Sequence, residues 1–313
     1  MATDERNFRS SYYEKVGFRS VEERKSLEIL LKDKPLDRAK LTQFCLRFTV
    51  PGIYRSLLWK VLLGVLPVHV ESHEFVMLQR KEQYQDLYQS LNVMGIATKN
   101  TPNSQLFILM WLLEIGQLKL DYASQIEEPL NQHLMAITDA ILSLFPESID
   151  AYWISKGFYQ CVNKFQKGLN NLIQCTMAIL EKEDGTLYSY LEEIRAFQVI
   201  PLETWFYRCF AGVLYDQALG KIWDKLAGGS CKILVYVAIV LLTTLRRSIF
   251  GSQTREDVLK HLCNINEEAA DVIANKAIEM WQQHGSALTP GIGHDSMKGH
   301  SMLHRSKAAF AVI

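Results

Sequence analysis

The side chains best placed for chemistry are Arg55 and Trp59, four positions apart, and the carboxylate of Asp224, which follows directly on Trp223. On one helix the R-x-x-x-W spacing lets the guanidinium stack over the indole or its neighbour, a cation–π contact. Packing at the edge of a core gives the same spacing without any chemistry. His69 and His73 have the i, i+4 spacing that can grip a metal, but Pro67 and Val68 make this stretch the start of a helix. No third ligand accompanies them, so a solvated pair is expected. His294, His300 and His304 form a loose, metal-sticky run with no defined geometry. A phosphate-binding loop, a nucleophile elbow and a dinucleotide glycine pattern are all missing from the sequence. No catalytic residue, cofactor site or metal site is therefore assigned.

The bulk composition limits the partners. Lys plus Arg and Asp plus Glu each total 34 in 313 residues, so there is no basic footprint for nucleic acid and no electrostatic pull toward anionic lipid. Hydrophobic residues make up 48% and charged residues 22%, an ordinary globular composition. The six cysteines are spread among apolar residues without a C-x-x-C pair and read as buried free thiols. A charged N-terminus, MATDERNFRS, does not suit a secretory signal. The apolar runs Leu106 to Leu113 and Ile233 to Leu242 have about half of the roughly 20 residues a membrane span requires. The expectation is a cytoplasmic protein with no direct membrane span, whose membrane association would come only through a partner.

The elements that must hold these residues are helices. Ser20 and Glu23 suggest a capping box ahead of Leu27, Leu30 and Leu31. Leu41, Phe44, Cys45 and Phe48 mark a second helix, and Pro51 opens a third that Gly64 and Pro67 close. A long polar-backed helix follows from about Glu71 to Leu91, then a loop over Gly95 to Ser104 and an apolar helix through Trp111. Leu118 to Glu128 reads as loop. Further helices run through Leu134 to Phe145, through Trp153 to Phe165 with Ser148 as the cap, and through Leu180, Leu187 to Ile194, Val258 to Leu262 and Ala269 to Trp281. Between Thr204 and Leu242, Trp205, Phe210, Leu214, Leu219, Ile222 and Trp223 recur at helical spacing before a Gly228-Gly229-Ser230 break. The β-branched run Val235 to Val240 would suit a strand. A buried helix is expected instead, because no other strand is available to pair with it. From Gly285 the composition turns to Gly, Ser and His, which suits a flexible tail.

The order W…F…vL…IWD…G over Trp205 to Gly228 resembles the C-terminal half of a TBC domain, the GTPase-activating domain for Rab proteins. Arg55 with Trp59 resembles the family's N-terminal R-x-x-x-W, and Ser148 to Trp153 (SIDAYW) resembles the segment between. The resemblance covers about Pro51 to Trp281. It implies an all-α fold: a single large multi-helix domain over residues 51–284, an N-terminal helical segment over 1–50 packed on it, and a tail over 285–313. The implied motif residues are structural: Arg55, Trp59, Trp153, Trp205, Trp223 and Asp224.

An active TBC domain presents two groups to a bound GTPase: an arginine from I-x-x-D-x-x-R and a glutamine from Y-x-Q. The arginine neutralises charge on the transferring phosphate, and such fingers contribute roughly a thousand- to hundred-thousand-fold in rate. This sequence contains no I-x-x-D-x-x-R. The nearest echo, Ile96 to Pro102, has Lys99 in place of Asp and Pro102 in place of Arg; a second, Ile292 with Asp295 and Lys298, also lacks the arginine. Its sole Y-x-Q, Tyr215-Asp216-Gln217, falls far along the chain from the expected place, where only Gln105 stands near. The resemblance thus implies a scaffold without its fingers.

The stretch RNFRSSYYEKVGFRSVEERKSLEILLKD resembles the branch of the family that forms the small third subunit of the tuberous sclerosis complex. That implies a partner, the coiled coil of hamartin, with tuberin in the same assembly acting on Rheb. Two alternatives remain open: an active Rab GTPase-activating protein with unorthodox fingers, and an effector that binds a Rab-type small GTPase without hydrolysis. Tyr84, Tyr88, Phe107 and Trp111 are candidate partner anchors, although each also suits a core position.

Overall fold

A computed structural model describes residues 18–284. The tail, its three histidines and the echo at Ile292 lie outside the described residues. Those that are described form helix after helix, with no β-strand among them. The N-terminal part comprises α1 (Phe18–Leu30), α2 (Arg38–Arg47), α3 (Gly52–Leu62) and α4 (His73–Val93). Next come α5 (Asn103–Glu114), α6 (Tyr122–Ile126), α7 (Pro129–Leu144), α8 (Ser148–Phe165), α9 (Leu169–Glu183) and α10 (Gly185–Glu193). The C-terminal part comprises α11 (Leu202–Tyr207), α12 (Asp216–Ala227), α13 (Ile233–Thr244), α14 (Arg246–Phe250), α15 (Arg255–Leu262) and α16 (Glu267–His284).

The interior explains this order. Every residue of α13 from Ile233 to Leu242 is buried, and a helix that is apolar all round must be wrapped by others. α16, α9, α12 and α14 supply that wrapping. Val235 to Val240 is helical in spite of its β-branched content, because burial on every side outweighs propensity. A smaller core joins Leu27 of α1, Leu41, Phe44 and Cys45 of α2, and Leu58, Val61 and Leu62 of α3. Trp59, next to Leu58 on α3, belongs to the large core. That helix is therefore shared by two cores.

Helix ends follow elementary capping rules. Gly64 and Gly229 adopt φ of 79° and 90°, a left-handed conformation that costs glycine nothing. After Gly64 the chain closes α3 with Val65 N donating to Lys60 O at 2.8 Å, and Ser230 N donates to Lys225 O at 3.0 Å to close α12. Pro51 caps α3 from outside, and Pro129 takes the first turn of α7.

Three local expectations are corrected. α1 is already helical at Phe18, so Ser20 lies inside it and is no N-cap. Glu147 occupies the N-cap of α8, and Ser148 is its first helical residue. The stretch from Leu118 to Glu128 contains α6, whose N-terminus Asp121 caps by accepting from Ser124 N at 3.1 Å. The candidate aromatic anchors take the core positions that also suited them. Phe107 and Trp111 are buried, and Tyr84 lies half-buried, with its ring 5.6 Å from that of Tyr152. Tyr88 packs partly buried against the same core.

Candidate functional site

α12 has its strongly apolar face against the large core, and that places Asp224 where no water reaches it. The last turns of α12 meet α3 and the segment before it. Arg55 donates from Nε to Asp224 Oδ1 at 3.0 Å and from Nη2 to Oδ2 at 3.3 Å, a bidentate pair. Trp59 Nε1 donates to Oδ1 at 2.9 Å, and the Val50 amide donates to Oδ2 at 3.1 Å. The same guanidinium donates to Val50 O at 2.9 Å and stands 6.0 Å from the Trp59 ring centre. Four N–H donors thus converge on one carboxylate. Burial pushes the Asp224 carboxyl above its ordinary range, while Arg55 and the Val50 amide pull it back down.

Gly220, one helical turn before Asp224, is what lets the guanidinium lie down on α12: a Cβ there would meet Arg55 Nη1 at 3.0 Å. Trp223 packs its ring 5.0 Å from Phe158 and 6.3 Å from Trp59, and donates to Cys209 O at 2.9 Å. Arg55, Trp59, Trp223 and Asp224 therefore form one knot. Trp153 and Trp205 lie apart from it. Trp153 donates to Arg80 O at 3.1 Å beneath the Arg80 guanidinium, 4.3 Å from its ring, and Trp205 packs on Phe210 at 5.6 Å.

The sequence reading missed Lys225, the neighbour of Asp224. It is fully buried and donates to Cys45 O at 2.7 Å and Phe48 O at 2.6 Å, tying α12 to the end of α2. Burial lowers its pKa and the adjacent Asp224 opposes the shift. The available signal was a lysine set between Trp223 and Leu226 on a helix buried along this whole stretch. Burial also pushes the Cys45 thiol up to about 12, with the Asp224 charge adding to the effect.

The stretch where finger residues would stand is built differently. After α4 the chain turns at Gly95, and the Thr98 amide donates to Thr101 Oγ1 at 2.9 Å. Pro102 sits at the N-cap of α5, Lys99 is exposed and Gln105 is half-buried. Residues 94–105 contain no arginine. A second overlooked residue is Gln125 of α6, in a Tyr122-x-x-Gln125 order one position longer than Y-x-Q. It is 4% exposed, accepts from Lys119 N at 2.9 Å and donates to Gln117 O at 2.8 Å. Both ends of its carboxamide are occupied in holding a turn. Tyr215 precedes α12 and Gln217 is exposed in its first turn, in the C-terminal part of the fold.

His73 Nε2 hydrogen-bonds Pro67 O at 2.8 Å and His69 lies 3.4 Å from Glu71, so the two histidines turn to different partners. Among the described residues no three His, Cys, Asp or Glu side chains are grouped to hold a metal, and no helix is long and apolar enough to cross a membrane. All six cysteines are free.

A helical body locked at α3 and α12 by an arginine–tryptophan–aspartate knot defines the class. Residues 131–250 match the Rab-GTPase-TBC domain family. The Ypt/Rab-GAP domain of Gyp1p shares the fold with a TM-score of 0.58 at 13% identity, over 85% of this chain and 99% of that one. Sequence relatives sharpen the placement. Human TBC1 domain family member 7 is 44% identical over 281 residues, covering 90% of this chain and 96% of the human protein. Its Danio rerio counterpart is 40% identical over 286 residues, covering 91% and 97%. This chain belongs to the TBC family, in the branch of TBC1 domain family member 7.

Proposed function

We propose that this TBC-fold protein works by binding and not by catalysis, as the subunit that docks on the coiled coil of hamartin. In that assembly tuberin promotes GTP hydrolysis by Rheb, and the complex restrains target-of-rapamycin growth signalling. The chain would reside in the cytoplasm and reach the lysosome or vesicles through its partners. The observation that carries the non-catalytic reading is the state of the finger stretch. Residues 94–105 supply no guanidinium, and the nearest glutamine of matching order, Gln125, is buried with both carboxamide ends engaged. A water-positioning glutamine needs a free end directed at a docked phosphate. Relatives of the member 7 branch, similar over nine-tenths of the chain, support the placement in that branch, and the partner is what the resemblance to that branch implies.

Two measurements test this reading. The full chain mixed with a hamartin coiled-coil fragment should elute as a stable complex at micromolar concentration, and separate elution overturns the partner. Single-turnover GTP hydrolysis across a panel of Rab proteins should stay at the intrinsic rate; a thousandfold acceleration overturns the non-catalytic assignment. Nucleotide-dependent retention of a Rab, without hydrolysis, would replace the proposal with the effector reading.

A further inference from the structure

Where α12 ends at Gly228-Gly229, a half-open cavity of about 340 Å³ lies between α2, α3, α8 and the turn into α13. Its walls are mainly apolar, formed by Leu62, Leu63, Phe165, Leu226 and Ala227. Two cations stand in the lining, Arg38 and Lys164, and no aspartate or glutamate does. Nη2 of Arg38 donates to Leu62 O at 2.7 Å, which fixes the guanidinium at the wall. Neither cation forms an ion pair with a carboxylate among the described residues. By contrast, the buried cations Arg55 and Lys225 are answered, Arg55 by Asp224 and Lys225 by two carbonyl oxygens.

The rest of the lining narrows the ligand. Burial raises the pKa of both Cys161 and Cys231, so these thiols stay protonated and are poor nucleophiles. The amides of the glycine turn are already committed: Gly228 N donates to Asp224 O at 3.1 Å and Gly229 N to Leu226 O at 2.8 Å. Recognition of an anion there must therefore come from side chains. Two unpaired cations beside apolar walls suit a ligand with one charged head and an apolar body. At roughly 30 Å³ for each water-sized group, the cavity holds about eleven heavy atoms.

We infer that this cavity binds a medium-chain aliphatic carboxylate, its chain against Leu62, Leu63 and Phe165 and its head between Arg38 and Lys164. Each added methylene should tighten binding about fourfold until the cavity is full. A bare phosphate would leave the apolar walls of Leu62, Leu63 and Phe165 without a partner.

The test is calorimetric titration of the full chain with decanoate, butyrate and 1-decanol, with thermal unfolding alongside. Decanoate should bind and raise Tm, and butyrate and 1-decanol should bind at least tenfold more weakly. Both cations are exposed, so Arg38→Gln with Lys164→Gln should fold as the parent does. The double variant should weaken decanoate at least tenfold and leave 1-decanol unchanged. No binding of decanoate at millimolar concentration overturns the inference. So does equal binding of 1-decanol, or full retention of decanoate by a double variant whose unfolding matches the parent.

Discussion

The knot around Asp224 and the stretch from Gly95 to Gln125 are both regions where a TBC domain has recognisable residues, and they differ in what holds them. At the knot an ionised group is out of water, and four donors converge on it because an unpaired buried carboxylate costs several kcal/mol. At the finger stretch Lys99 is exposed and Gln125 braces a turn, and neither position needs a charge for the chain to fold. Folding therefore fixes the first region tightly and leaves the second free of chemical demands. This contrast suits the proposal that the scaffold keeps its architecture without the groups that touch a phosphate.

The largest test of this contrast is Asp224→Ala. It strands the Arg55 guanidinium, the Trp59 N–H and the Val50 amide together, and should lower unfolding free energy by about 3–5 kcal/mol in urea titrations. Arg55→Ala should cost a similar amount, since it leaves the carboxylate buried with a partial set of donors. The two losses should be far from additive in the double variant. Additive losses would mean that the knot is not one unit.

Next in size is Lys225→Met. It preserves the length of the side chain but leaves the Cys45 and Phe48 carbonyl oxygens without their donor, and should cost about 2 kcal/mol. Its signature is separation of the two cores, with α1 and α2 exchanging amide hydrogens sooner than α13.

Alkaline pH should act on the same place. The folded pKa of Cys45, about 12, lies above its ordinary 9.0, so the folded state holds its proton more tightly. The associated stability is complete below about pH 9 and is lost as pH rises from there toward 12. Cys45→Ala should flatten this part of the stability curve. An unchanged slope would assign the loss to other buried groups such as Cys209, whose thiol burial also raises.

These effects bear on how far the sequence could be read. The helices were legible because apolar residues recur along α7, α8 and α16 at the helical period, and the R-x-x-x-W and W-D pairs stood out as types rarely placed together. That Arg55 and Asp224 meet was not legible from spacing, since the pair is separated by 169 positions and needs the fold to bring it together. Lys225 was missed for a related reason: a lysine among apolar residues looks like a break in the pattern, and only two carbonyl oxygens from another helix make it tolerable. Ser20 and Ser148 misled because a good capping residue also fits within the first turn of a helix. Gln125 was hidden by α6, whose five residues are too few to show a period.

The smallest expected effects lie at the finger stretch, and they are the most informative about function. Lys99→Ala should change stability by no more than about 0.5 kcal/mol, because the side chain is exposed. Gln125→Ala should cost about 1–2 kcal/mol, since it frees the Lys119 amide and the Gln117 carbonyl from a buried partner. Neither variant should alter GTP hydrolysis by any Rab or retention of the hamartin coiled coil. A glutamine that positioned water would show the opposite pattern, with a small stability change and a large loss of rate. Measuring both quantities on Gln125→Ala therefore separates a brace from a finger, even though the residue type and its place in the chain are the same for each.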